Sequence, residues 1–421
     1  MRQSLRQLGA FCAEISQDQH APQRKWLRDM MFGVIASRSL MLTEIARALD
    51  EDTDLAYTLK RLSRNLNSSR LDTEALRARH MDSVARWTRH NNGEGVVIAV
   101  DYTDIAKPYA CLDHDRGMEL VSRVRDGSKG EIVTGYGVAQ FEAHLRDGNQ
   151  MPLLYDVFSF AGGGFRSQTH AFVDAMNRAR PYVGDRAWWV LDRGFDGGRM
   201  FEALDAAETR WVCRLKIGGP RTRNLGDAEG VEERCRAMAL RTVDRFKTVV
   251  KSGKGNLHAP LDLRIGARKV YLPNQSTRGG MNWRTLIVVW GFGKDPMVLL
   301  ASEHLTGRDD ILEAVDAYHR RWKCEEATRS MKDSRNWGVR LEDLRALRFE
   351  GVQRLVLIAC LVYTFIAEMR HWGGMMLDAV VRAVRTVCTV GSDPRYRIMR
   401  GLGEQLKGTA RRIVLRWRGC T

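Results

Sequence analysis

The feature that most constrains this fold is a continuous apolar run, Val96-Val97-Ile98-Ala99-Val100, which stops abruptly at Asp101. Its residues are mostly β-branched, and an unbroken apolar run of this length is typical of a strand buried on both faces. A second short run, residues 188–191, ends in the same way at Asp192. The sequence therefore predicts two buried strands that each deliver a carboxylate at their carboxyl end.

Further strands and helices surround these two runs. Residues 132–141 and 153–158 carry strand patterns separated by polar turns, and with the first strand they predict an antiparallel meander. The later elements are a helix at 168–178, a helix at 198–206 and a strand at 211–215. From 217 to 300, glycines, arginines and short alternating runs predict a β-rich insertion.

The first 90 residues have a helical pattern with almost no strand signal. A short helix at 42–49 is followed by an acidic turn and then by a helix that carries Lys60, Arg61 and Arg64. Two helices in this order, the second one basic, are typical of a helix-turn-helix DNA reader. An ordinary helical bundle produces the same pattern and is the alternative.

A stripe of polar residues lies within the long helical pattern at 309–336. Tyr318, Arg321, Glu325 and Lys332 fall within an arc of roughly 60° on one helix face, at about 100° per residue. Charged side chains are rarely buried unless they are paired, so the stripe is expected to face something anionic. Taken alone, Glu325 has a simpler interpretation as an i,i+4 partner of Arg321 and Arg329 on a solvated face.

Composition narrows the class of protein. The chain has 421 residues, is 44% hydrophobic and carries a formal net charge of +16, which favours polyanions such as nucleic acid. A large basic chain with a real core indicates an enzyme acting on nucleic acid. The eight cysteines show no paired spacing, so neither a zinc module nor a disulfide framework is indicated. The absence of a signal-peptide pattern predicts a cytoplasmic protein, and the apolar run at 355–366 is too short to span a membrane.

The acids at the strand ends and on the stripe predict a metal site formed by Asp101, Asp192 and Glu325. Hard oxygen ligands select Mg²⁺, with Mn²⁺ as the second choice. Two such ions about 3.5–4 Å apart would support in-line displacement at a phosphodiester, with Asp101 as the bridging ligand. The structural alternatives are a local turn at Asp101 and, for Asp192, a helix cap or a pair with Arg193.

Three motifs together are similar to those of a known family. They are Ala99-Val100-Asp101-Tyr102-Thr103-Asp104, Val190-Leu191-Asp192-Arg193-Gly194-Phe195-Asp196, and the spacing Tyr-x2-Arg-x3-Glu-x6-Lys from Tyr318 to Lys332. On these motifs the chain resembles the DDE transposases of bacterial insertion sequences, specifically the insertion sequence 4 family. The resemblance covers about residues 95 to 345, and the gapless third motif is its most specific part.

The resemblance implies an α/β fold with an RNase H-like mixed-sheet catalytic core that is interrupted by the β-rich insertion. An N-terminal helical domain precedes this core and C-terminal helices follow it. The expected division is 1–90 helical and DNA-binding, 95–216 first part of the core, 217–300 insertion, 301–345 catalytic helix, and 346–421 C-terminal helices with a basic tail.

The function that the resemblance implies is excision and integration of an insertion sequence. The expected chemistry is metal-dependent DNA strand cleavage and strand transfer at terminal inverted repeats, by a homodimer that binds the repeats and target DNA at the bacterial nucleoid. Arg321 and Lys332 would hold terminal phosphates with Tyr318 on the DNA backbone beside them, and Lys107 and Arg193 are further candidate phosphate contacts. Trp283 and Trp290 are candidates to receive a flipped base. The alternatives are an RNase H-like endonuclease without joining activity and a non-catalytic DNA-binding repressor.

Overall fold

The structure is a computed structural model, and it describes most of the chain. The described residues are 2–108, 110, 117–125, 130–216, 240–252, 255–272, 282–292, 296–302, 305, 307–321, 332, 339, 341–369 and 394–407. The described helices and strands follow one another in the order that the sequence patterns predict.

The helices are α1 Arg2–Ile15, α2 Ala21–Ser37, α3 Leu42–Leu49, α4 Leu55–Leu66, α5 Thr73–Thr88, α6 Gln168–Ala179, α7 Gly198–Ala206, α8 Arg308–Arg321, α9 Phe349–Met369 and α10 Pro394–Lys407. The strands are β1 Val97–Ala106, β2 Ser122–Arg125, β3 Ile132–His144, β4 Gln150–Phe158, β5 Trp188–Leu191, β6 Arg210–Arg214, β7 Leu240–Ser252, β8 Gly255–Leu272, β9 Asn282–Trp290 and β10 Met297–Ala301.

The N-terminal helices form a bundle in which local capping and a few close contacts set the angles. The Asp54 carboxylate accepts a hydrogen bond from the backbone N–H of Ala56 and so caps α4. The indole of Trp26 donates to the carbonyl of Leu62 at 3.1 Å, which ties α2 to α4. The predicted helices at 42–49 and in the basic segment after it are confirmed as α3 and α4.

A single mixed sheet runs through the molecule in the order β2-β3-β1-β5-β6-β10-β9-β8-β7, with β4 paired to β3. The strands β1, β3 and β4 are antiparallel, which confirms the predicted meander. In contrast, β5 runs parallel to both β1 and β6. One prediction was wrong: β1 does not end at Asp101 but continues to Ala106, because β3 keeps pairing with it beyond that point.

The segment predicted as a β-rich insertion contributes strands to this same sheet. β10 pairs antiparallel with β6, and β9, β8 and β7 follow in order towards the far edge. The strand patterns in this segment are therefore confirmed, while the limits of the insertion as a domain remain a prediction.

Helices cover both faces of the sheet. On one face α6 and α7 pack on a cluster that includes Phe141, Trp189 and Trp211. On the other face α8 lies over β1, β5 and β6, and α9 lies over β4. A separate buried cluster joins α9 to the N-terminal bundle, since it contains residues of α1 to α4 and of α9.

Helix α9 has the length and composition to cross a membrane, but in this fold it is a core helix. Within the described part of the chain it is the one helix that meets both criteria, and 94% of its apolar window is buried inside the protein. Burial against the bundle and β4 accounts for its apolar character, as the sequence predicts.

Candidate active site beside two parallel strands

The parallel pairing of β1 with β5 brings Asp101 and Asp192 side by side. The register runs from Val97 opposite Trp188 to Val100 opposite Leu191, so that one further step places the two aspartates at equivalent positions. Neighbouring strands lie about 4.8 Å apart, which puts the two Cα atoms at about that separation. The two acids, 91 positions apart in the chain (192 − 101), thus become neighbours.

Both carboxylates lie on the face of the sheet that α8 covers. Val97, Trp188 and Val190 pack in the same buried cluster as Tyr318 of α8. Side chains alternate between the two faces along a strand, so Asp101 shares a face with Val97, and Asp192 with Trp188 and Val190. The helix predicted to carry the third acid therefore approaches the correct side of the sheet.

Local hydrogen bonds orient each carboxylate. Asp101 Oδ1 accepts from the backbone N–H of Tyr102 at 2.9 Å. Asp192 Oδ1 accepts from the backbone N–H of Gly194 at 2.7 Å and caps the short 3₁₀ turn at Arg193–Phe195. A Cβ at position 194 would lie 2.8 Å from that oxygen, so glycine leaves room for the bond. Of the two structural alternatives, the cap at Asp192 is present, whereas the turn at Asp101 is not, because β1 continues through this position to Ala106. The two hydrogen bonds also fix the direction of the acids.

Arg321, at the end of α8, reaches towards the first acid. Its Nη1 atom lies 3.6 Å from Asp101 Oδ2, and the side chain is 7% exposed. The guanidinium also lies over the ring of Tyr318, 5.8 Å from its centroid. Tyr318 itself is 1% exposed, and burial raises the pKa of its hydroxyl while nearby Arg321 opposes that rise. The ring lies in the core beneath Arg321, so the predicted contact of Tyr318 with DNA has no support from its position here.

Lys332 lies close to a different acid of the same strand. Its Nζ atom is 3.0 Å from Asp104 Oδ1 and 3.6 Å from Glu342 Oε1. Asp104 is buried, with 2% of its side chain exposed. The remaining member of the predicted stripe, Glu325, lies outside the described residues.

The other residues predicted to contact DNA differ in how exposed they are. Lys107 is buried and donates hydrogen bonds to the carbonyls of Glu342 and, at 2.8 Å, Leu344. Burial lowers the pKa of its ammonium group to about 8. Its contacts here are structural, and a contact with phosphate stays a prediction. Arg193 is exposed beside Asp192. Trp290 is partly buried against the core, and the side chain of Trp283 lies outside the described part.

The strand next to Asp101 carries a buried polar group that sequence reasoning missed. Gln140 lies opposite Asp101 in the β1–β3 register, and Glu142 lies opposite Ala99. Both are fully buried, and the Tyr155 hydroxyl is 2.6 Å from Gln140 Nε2 and 3.4 Å from Glu142 Oε2. The sequence pattern that could have revealed them is the alternation of polar Gln140 and Glu142 with apolar neighbours. Such alternation places the two polar side chains on one face of a strand.

The donor atoms at the site suit a hard divalent cation. Asp101 and Asp192 offer carboxylate oxygens from adjacent strands, the ligand type that Mg²⁺ and Mn²⁺ prefer. Two carboxylates on one face at neighbouring positions fit a role in binding such an ion. Within the described ranges no group of three or more potential ligand residues occurs, and the third predicted ligand is not among them.

Comparison with known proteins gives a family and a distant structural likeness. A family described as "Transposase DDE domain" matches residues 93–365, which include both aspartates and all of α8. No curated protein matches the chain. A cryo-EM structure of a piggyBac transposase synaptic complex with hairpin DNA is similar at 10% identity and a TM-score of 0.42, over 98% of this chain and 79% of that one. At that TM-score the likeness is too distant to support an assignment.

Proposed function

The chain belongs to the transposase DDE domain family, and from that premise we propose that it excises and integrates an insertion sequence by metal-dependent cleavage and transfer of DNA strands at terminal inverted repeats. One observation carries the proposal: Asp101 and Asp192, distant in sequence, stand at equivalent positions of adjacent parallel strands. Two carboxylates so placed are suited to sharing divalent ions at a phosphodiester.

Glu325 is our proposed third ligand, and together with Asp101 and Asp192 it would hold two Mg²⁺ or Mn²⁺ ions. When bound, the ions would activate the attacking water or 3′-hydroxyl and stabilise the leaving oxygen. The chain's own groups orient the reactants. The backbone N–H groups of Tyr102 and Gly194 direct the two aspartates, and the Arg321 cation beside Asp101 would hold a phosphate of the cleaved end.

We assign Tyr318 a supporting role instead of a contact with DNA. Its buried ring lies beneath the guanidinium of Arg321 and limits where that group can point. Lys332 stays a proposed phosphate contact, and its bond to Asp104 places its ammonium near the same strand as Asp101.

The finer family and fold assignments are also proposals. The gapless spacing from Tyr318 to Lys332 supports membership of the insertion sequence 4 family. The antiparallel strands β1, β3 and β4 beside the parallel β5 and β6 support an RNase H-like core. We further propose that a homodimer binds two paired repeat ends and target DNA at the bacterial nucleoid.

The test of the proposal uses single substitutions of the three acids. We expect Asp101→Asn, Asp192→Asn and Glu325→Gln each to lower cleavage of a terminal-repeat duplex by about 100-fold or more, the scale of losing one electrostatic stabiliser. DNA binding should change little, because the acids are not the groups that hold phosphates. Asp185→Asn, an exposed acid before the amino end of β5, is the matched control and should cut normally.

The repeat is found by inspecting the DNA beside the reading frame for short inverted repeats. Cleavage is measured on labelled duplex in Mg²⁺, and strand transfer is measured as joining of a precleaved end to a plasmid. An acid variant that cuts at the wild-type rate removes that residue from the site. Cleavage without any joined product would favour the endonuclease.

A further inference from the structure

An open groove of about 780 Å³ lies between the N-terminal bundle and the segment that leads into α9. We call it the basic groove. Lys60, Ser63 and Arg64 of α4 line one wall, and Arg345, Leu347 and Arg348 line the other. Leu59 and Leu66 also line the groove, so its lining is partly apolar.

The charge of the basic groove is uniformly positive. Lys60, Arg64, Arg345 and Arg348 are all exposed, and no Asp or Glu is among the described residues that line the groove. In the part of the chain that the structure describes, none of these four cations lies within ion-pair distance of a carboxylate.

The neighbouring Arg61 shows that this arrangement is specific to one face of α4. Arg61 points the other way and pairs with Asp29 at 2.6 Å and Glu51 at 3.0 Å. Lys60 and Arg64 are one helical turn apart, about 6 Å along the axis, and so lie on a shared face. Arg61 therefore pairs within the protein, whereas Lys60 and Arg64 are exposed to solvent, where a polyanion can reach them.

The second wall is fixed to the strand that carries the first acid. Lys107, at the end of β1, donates to the carbonyl of Leu344, the residue before Arg345. From Asp101 to Lys107 the strand covers about 20 Å at about 3.3 Å per residue. That span corresponds to about six base pairs at 3.4 Å each, so a duplex held in the groove would have a set distance to the acids.

We propose that the basic groove binds the phosphate backbone of duplex DNA about six base pairs or more inward from the end that is cut. This inference rests on the proposed function for its position on the DNA, and on charge complementarity for its ligand. At about 780 Å³ the open groove is larger than one small anion needs, and its four cations suit the repeated phosphates of a DNA backbone. Phosphate contacts of this kind position DNA without reading its sequence.

The experiment compares three double variants of the full-length protein. Lys60→Gln with Arg64→Gln neutralises one wall, and Arg345→Gln with Arg348→Gln neutralises the other. The matched control is Arg146→Gln with Arg186→Gln, two exposed cations beside Glu94 at the opposite end of the sheet. Binding of a mixed-sequence duplex of about 30 base pairs is measured against salt, which counts phosphate contacts directly.

We expect each groove variant to lower the slope of log affinity against log salt by about 2, and the control to lower it by much less. On a cleaved repeat end, ethylation of the phosphates about six base pairs or more inward should weaken binding by wild type and have little effect on the groove variants. Thermal unfolding should be unchanged for all three, because the substituted side chains are exposed.

Two results would overturn the inference. Groove variants that keep the wild-type slope would show that no phosphate lies in the groove. A lowered slope on single-stranded DNA alone would show that the ligand is not a duplex. Failure of the proposed function is a separate result, since a protein that binds through the groove but cuts no repeat would leave the groove in place and remove the transposase chemistry.

Discussion

The guanidinium of Arg321 lies 3.6 Å from Asp101 Oδ2 while only 7% of its side chain is exposed. A charge this deeply buried is costly unless a partner compensates it, and the Asp101 carboxylate is such a partner. The same position lets Arg321 meet a phosphate that approaches the acids. At the residue scale, therefore, Arg321 is both a buried partner of Asp101 and the proposed contact with a DNA phosphate.

Substitution of Arg321 should separate its role from that of Tyr318. We expect Arg321→Ala to weaken binding of a precleaved repeat end by about 10- to 100-fold, the loss of one charge-assisted hydrogen bond of about 1.5–3 kcal/mol. Arg321→Lys should bind the precleaved end with an affinity between those of wild type and Arg321→Ala, because lysine keeps the charge but not the planar pair of donors. Gel shift with precleaved and uncleaved duplexes measures the difference.

Tyr318→Phe is the matched variant, since it keeps the ring under the guanidinium and removes only the hydroxyl. We expect its affinity for the cleaved end to stay near wild type. If Tyr318→Phe binds as weakly as Arg321→Ala, the tyrosine touches DNA as the sequence first predicted, and our supporting role for it is wrong.

At the scale of elements, close approach of backbones decides the geometry of the bundle. A Cβ on Gly33 of α2 would lie 2.4 Å from Cγ2 of Ile45, which belongs to α3. This contact holds α3 against α2, and α3 in turn contacts α4, the helix that lines the basic groove. Gly9 of α1 is also helical, but a Cβ there would meet nothing within 4 Å.

The two glycines predict opposite effects of one substitution. Gly33→Ala should lower the free energy of unfolding by about 1–3 kcal/mol, since an added methyl overpacks the α2–α3 contact. Gly9→Ala should raise it by about 0.5–1 kcal/mol, because alanine has the better helix propensity and space is available. Urea unfolding followed by circular dichroism gives both values. A stabilised Gly33→Ala protein would mean that α3 moves freely relative to α2.

At the scale of the whole molecule, the N-terminal bundle and the catalytic sheet share a core. Arg354 of α9 is 2% exposed and donates to the carbonyls of Leu66 and Leu71 and to Thr73 Oγ1. Buried apolar residues of α9 and of the bundle belong to one cluster. We therefore propose that the helical segment at 1–90 unfolds together with the sheet, although its sequence predicts a separate domain.

This shared core predicts one unfolding transition for the described fold. We expect far-UV circular dichroism and tryptophan fluorescence to change together in denaturant, as they do for a two-state protein. A chain that begins at residue 91 should fail to fold, because its α9 would expose the apolar face that the bundle covers. Two separate transitions, or a stable truncated protein, would instead support an independent N-terminal domain.

Sequence alone determined most of the described helices and strands, and from it we predicted the three acids. Apolar runs, capping residues and period-2 or 3.6 patterns are local properties, and they located α3, α4, the meander and the strands that carry Asp101 and Asp192. The polar alternation at Gln140 and Glu142 was equally readable and was missed, because the predicted strand ended at Phe141 whereas β3 continues to His144.

Tertiary structure alone decided which of these residues meet. Parallel pairing of β1 with β5 joins positions that are far apart in the chain, and no local pattern specifies that neighbour. Tertiary structure also decided where each cationic side chain points. Lys107 bonds to two carbonyls and Arg61 to two carboxylates. Lys60 and Arg345, in contrast, line a common groove. A cation's sequence context is similar in each case, but its partner depends on the path of the whole chain, and that path is set by burial of the shared cores.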